Sequence, residues 1–175
     1  MSEQIIHSIL LVFHNIALVG CAAAPFYNRN LVIQRAQYGP KLHYELDKVV
    51  EDTLQKNVPY CVVFITLLWF TGIGMPLNGY LFHGAFRELH LAAAIAVGLK
   101  ISSVIGMMII MFMIFFGLNP RLREIFTKFE PGKAPDQELE REFFQKRARR
   151  KYLCDICLWF AIGVLVFSAF ITFGT

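Results

Sequence analysis

The chain has 175 residues, of which 56% are hydrophobic and only 17% charged. A soluble domain of that length is less apolar and more charged, and several apolar spans leave no room for a separate soluble domain. The net charge of +4 falls in two blocks, a pattern that reports membrane orientation rather than nucleic-acid binding. The four cysteines lie in apolar settings, which does not suit a secreted disulfide framework.

The first apolar stretch covers about residues 5–24, long enough to cross a hydrocarbon core of about 30 Å. Met1-Ser2-Glu3-Gln4 lacks the basic leader of a signal peptide, so the stretch is read as a retained span. It is unusually polar for its kind, with His7, Ser8, His14 and Asn15, and Pro25-Phe26-Tyr27 is expected to end it. After Pro40, Leu42, Leu46, Val49, Val50 and Leu54 recur at helical spacing. That predicts an amphipathic helix on the membrane surface.

The second span covers about residues 58–74 and is expected to break at Thr71-Gly72-Ile73-Gly74-Met75-Pro76. A short aromatic loop holding His83 leads to His90 and the third span, about residues 89–118, which Asn119-Pro120 is expected to stop. That span carries a single charge, Lys100, near its middle. A lysine at that depth is costly unless it faces a partner, a cofactor or a water-filled cavity. Most of the charge follows, including Gln137 to Lys151, with acids first and bases last, as suits a helix dipole. The fourth span covers about residues 152–173. The fold class is therefore all-α: a single membrane domain over 1–175, a bundle of four transmembrane helices with amphipathic surface helices in its basic loops.

Arg29, Arg35, Lys41, Lys48 and Lys56 lie between spans one and two, and ten further bases from Arg121 to Lys151 between three and four. The remaining loop has only Arg87. The positive-inside rule then makes both basic loops cytoplasmic and both termini outward, as in a bacterial-type inner membrane. His7, His83 and His90 fall near the outer surface, and His14 and Lys100 near mid-membrane, as a rise of about 1.5 Å per residue dictates. Histidines on facing helices are the chemistry of axial haem ligation, with His14 and His90 as iron candidates. Interfacial wetting is the plainer account of His7, His83 and His90.

The cysteines Cys21, Cys61, Cys154 and Cys157 all fall near the cytoplasmic ends of spans. A four-thiolate metal site is open geometrically, and simple packing is the alternative. Asp155 is expected to pair with a base of Arg147–Lys151, and the run Lys146–Lys151 itself reads as an anchor to anionic headgroups. Met107, Met108, Met111 and Met113 are read as lipid-facing packing. No glycine-rich phosphate loop, zinc-protease pair or nucleophile elbow is present.

His14 with Gly20-Cys21-Ala22-Ala23-Ala24-Pro25-Phe26, and Leu99-Lys100-Ile101, give the chain a layout that resembles a known group. These are the small four-helix membrane proteins related to the HemJ-type protoporphyrinogen oxidase and the CopD membrane domain. Before the last span, where HemJ-type proteins have an Arg–Asn–Glu–Pro-like signature, this chain reads Arg149-Arg150-Lys151-Tyr152. The resemblance implies a haem-associated bundle with His14 and Lys100 in the site. The expected function is a b-type haem protein of electron transfer or tetrapyrrole (protoporphyrinogen) oxidation, with haem b as cofactor. A catalytic role would fall to Lys100 and His14, and porphyrin binding to His7, His14, His83, His90 and Lys100. A non-catalytic subunit of a larger membrane complex and a small transporter or metal permease are the alternatives. Expected partners are the lipid bilayer, other membrane subunits or a second copy of the chain, and no nucleic acid.

Overall fold

A computed structural model describes residues 2–39, 41–85, 90–133 and 135–173, with the backbone alone at Ser2 and 171–173. Its helices are α1 (Ser2–Ala36), α2 (Tyr44–Lys56), α3 (Val58–His83), α4 (Leu91–Phe112), α5 (Asn119–Phe126) and α6 (Gln137–Phe173). Four of the helical stretches are long and apolar enough to cross a membrane. Large apolar side chains such as Val19, Phe70, Leu81 and Trp159 stand exposed on their outer faces. In water that surface would drive aggregation, whereas lipid tails cover it without cost. Leu89, the expected start of span three, and Arg87, the one base expected in its loop, lie outside the described residues.

The helices run further than the apolar stretches predict. Pro25 does not end α1, which continues to Ala36. A proline inside a helix loses one backbone hydrogen bond. Here side-chain anchors on the last turns hold the helix: Arg29 pairs with Asp155 at 2.6 Å, and Arg35 with Asp47. Asp155 thus serves α1, not the basic run of its own helix. In the same way α3 passes through Gly72 and Pro76 and stops at Gly84, whose φ of 70° suits a glycine C-cap.

Asn119-Pro120 does not stop the third span either. A π-helical turn, Met113–Leu118, joins α4 to α5. The wider turn falls where the Pro120 ring would crowd the carbonyl four residues back, and it carries the chain past the proline.

Inside the membrane zone, α1 packs along α3 and against α6, and α6 packs along α4, whereas α3 and α4 scarcely touch. The bundle is therefore an arc, α3–α1–α6–α4, with a gap between its two ends. Ala17, Cys21, Leu68, Val104, Met107, Ala161 and Val164 fill its core. Met107 is buried there, so the expectation that the methionines all face lipid fails at that position.

The basic ends of the spans carry a second small core. Leu122, Ile125, Phe129 and Phe143 are buried there, with Tyr44 and Phe126 stacked at 5.3 Å. The helix α2 is part of this cap rather than a free surface helix. Val50 and Leu54 bury against Val32, and the acidic pair Asp47 and Glu51 is buried as well, while Val49 of the predicted stripe stays exposed.

Candidate functional site

His14 sits midway along α1, a helix whose neighbouring side chains are almost all apolar. It is buried, with 6% of its surface exposed. Its Nδ1 lies 2.9 Å from the Oγ1 of Thr71 on α3. The Thr71 hydroxyl in turn donates its one proton to the carbonyl of Leu67, 2.7 Å away. Thr71 must therefore accept from His14 Nδ1–H, which leaves Nε2 as a lone pair. Lys100 Nζ from α4 lies 3.3 Å from that Nε2 and donates to it.

The pair stands at the back of the gap between α3 and α4, a cleft of about 360 Å³. Its walls are apolar: Leu68, Trp69, Ile73, Pro76, Val97 and Val104. Trp69 Nε1–H donates to Met108 Sδ at 2.9 Å and ties the two walls together towards the basic ends. Gly72 lines the cleft next to the His14 ring, where a methyl group would rest in ordinary contact at 3.7 Å. Pro76 has no N–H to give, so the Gly72 carbonyl loses its usual helical donor beside the cleft. Among the described residues, only His14 and Lys100 bring ionisable side chains to these walls.

Of the five residues expected in the site, the fold joins two. His7 is exposed on the side of α1. His83 is also exposed and lies 2.9 Å from Glu3, an outer contact between α1 and α3. His90 is the exposed residue before α4, about 15 Å along the helix from Lys100. Thr71 was missed by sequence reading because a lone threonine in an apolar helix usually bonds its own backbone. It does that here and serves His14 as well.

The residues present fit a tetrapyrrole, to which His14 would offer a ring nitrogen and Lys100 a cation. His14 has the tautomer that exposes Nε2, and the Thr71 contact orients the ring as the outer partner of a ligating histidine does. Lys100 is the cation within reach for a carboxylate, and it would have to leave Nε2 for iron to take that place. Among the described residues, His14 is the one histidine that lines the cleft.

The four cysteines, all buried and unbonded, border one small internal space of about 40 Å³ with Arg150. Among the described residues, no group of three or more His, Cys, Asp or Glu could hold a metal ion. The thiols there act as packing groups.

A larger polar cluster went unforeseen at the basic ends. Arg35 grips both Asp47 oxygens, Arg147 bridges Asp47 and Glu51, and Arg150 binds both Glu51 oxygens and Asn119. All six side chains are buried. The only sequence signal was the acidic pair Asp47 and Glu51, four apart on the buried face of α2.

The chain matches no family model, and no curated protein or solved structure matches it.

Proposed function

We propose that this protein is an integral membrane binding protein for a tetrapyrrole, haem b or a close relative, working in electron transfer or tetrapyrrole oxidation. The observation that supports it most is the buried His14, whose Nε2 lone pair takes only the mobile Lys100 ammonium as a donor and faces an apolar cleft. Bound haem would supply one-electron chemistry. The chain's own residues then have separate tasks. His14 Nε2 would hold the metal, Thr71 holds the ring in its tautomer, and Lys100 would be the cation for a carboxylate. The apolar walls exclude water, and the gap between α3 and α4 lets a lipid-soluble ligand enter sideways. The likeness of His14 and Leu99-Lys100-Ile101 to the HemJ-type and CopD proteins supports the same reading, as does the distribution of bases for cytoplasmic basic loops.

The test is the absorbance spectrum of the full-length protein, purified in detergent and titrated with haemin. The wild type should give a Soret band at one haem per chain. His14→Ala should lose the band or weaken binding at least tenfold, and Lys100→Gln should weaken it less. A wild type that gives no Soret band, or a His14→Ala spectrum unchanged from wild type, overturns the proposal. Stoichiometric co-purification of other membrane proteins without any chromophore would favour the non-catalytic subunit instead.

A further inference from the structure

The buried cluster at the basic ends does not balance. It holds three guanidinium groups, Arg35, Arg147 and Arg150, against two carboxylates, Asp47 and Glu51. None of the five is more than 4% exposed. One positive charge is left over in a place where unpaired charge is costly. A groove of about 370 Å³ between α1 and α6 opens onto this cluster. Arg35 and Arg147 line it together with Lys151, which has no hydrogen bond or ion pair to a described residue. Its floor is apolar, formed by Val32, Ala36 and Phe144, and Ala148 stands at its edge.

The level of the groove narrows the choice of occupant. Asp155, paired with Arg29, lies near the start of the apolar part of α6. Lys151 and Arg147 are one and two turns beyond it, about 6 and 12 Å, which is the depth of lipid headgroups rather than of tails. An ionic ligand with an apolar shoulder fits cations above an apolar floor at that depth. We propose that this groove is a binding site for one anionic phospholipid of the leaflet at the basic ends of the spans. Its phosphate pairs with Lys151 and neutralises the surplus charge of the arginine cluster, and its glycerol end rests on Val32 and Phe144. The site is independent of whatever occupies the cleft at His14.

The full-length protein in neutral detergent, titrated with phosphatidylglycerol or phosphatidylcholine, provides the test. Native mass spectrometry reads the lipid retained, and a thermal melt reads the stabilisation. Wild type should retain one phosphatidylglycerol, be stabilised by it, and respond to neither phosphatidylcholine nor millimolar inorganic phosphate. Lys151→Gln should weaken retention about fivefold. Arg149→Gln removes the same charge from an exposed position outside the groove and should leave retention near wild type. Ala148→Trp changes no charge but fills the groove, and should abolish retention while the helical circular dichroism stays intact.

Three results would overturn the proposal. Equal retention of the two lipids would mean no anionic site. Equal losses in Lys151→Gln and Arg149→Gln would mean a diffuse basic surface. Displacement of the lipid by inorganic phosphate would mean a simple ion site.

Discussion

At the scale of single residues, the site depends on one threonine. The Thr71 hydroxyl spends its proton on the Leu67 carbonyl and so can only accept from His14. Thr71→Val keeps the shape but removes that acceptor, so the imidazole loses both its orientation and its preference for the Nδ1–H form. A partner of this kind is typically worth 10- to 100-fold in ligand affinity. Haem affinity in Thr71→Val should fall by about that factor while the thermal melt moves little. A fall in stability as large as the fall in affinity would mean that Thr71 holds the bundle rather than the histidine. Sequence reading found His14 and Lys100 because each is a costly residue for a membrane helix. It could not find Thr71, which is cheap there because it satisfies itself on its own backbone.

At the scale of the elements, two close crossings set the arc. A methyl group at Gly20 would come within 2.5 Å of the Phe64 ring, and one at Gly106 within 2.9 Å of the Phe160 ring. These positions lock α1 against α3 and α4 against α6, the two most extensive helix contacts in the molecule. Gly106→Ala and Gly20→Ala should each destabilise the solubilised protein by about 1–3 kcal/mol, the usual cost of overpacking. Gly98→Ala, with open space around it, should be neutral. A Gly98→Ala loss as large as the other two would show that helix flexibility, not close contact, is what these glycines provide.

Proline and glycine also explain where the predicted ends of helices fail. Each rule for stopping a helix holds for an isolated segment, and at Pro25, Pro76 and Pro120 it is outweighed. Anchoring pairs, bilayer surroundings that leave backbone groups no water to turn to, and a π turn carry the chain through.

At the scale of the whole molecule, the buried ion network joins α1, α2 and α6 and links the basic cap to the spans. Burial alone raises the carboxyl of Asp47, but the Arg35 hydrogen bond and the Arg147 charge outweigh it and hold it below its usual 3.8. Burial acts on Glu51 in the same way, and Arg150 and Arg147 outweigh it, holding it below its usual 4.5. A carboxyl with a depressed pKa contributes stability that is complete above its unfolded value and is lost as pH falls through its folded one. The melting temperature should therefore be flat from about pH 8 to 5 and fall below about pH 4. In Glu51→Gln the melting temperature should start lower and depend less on acid. A decline already under way between about pH 7 and 5 would place the acid sensitivity on a histidine instead.

How much of this was legible follows from what each signal depends on. Four spans and their order were written in runs of apolar residues, a local property that the bilayer reads directly. That His14 and Lys100 lie at one level followed from helical rise alone. Which helices touch was not written there. Lipid-facing and bundle-facing surfaces are equally apolar, so hydropathy gives no direction to a membrane helix. The tertiary structure therefore decided that α3 and α4 stand apart, that His14 and Lys100 meet in the gap between them, and that His7, His83 and His90 stay outside. It also turned two members of a basic run, Arg147 and Arg150, into buried partners of Asp47 and Glu51. Charge in a sequence reads as solvated until another helix, distant along the chain, brings the opposite charge to it.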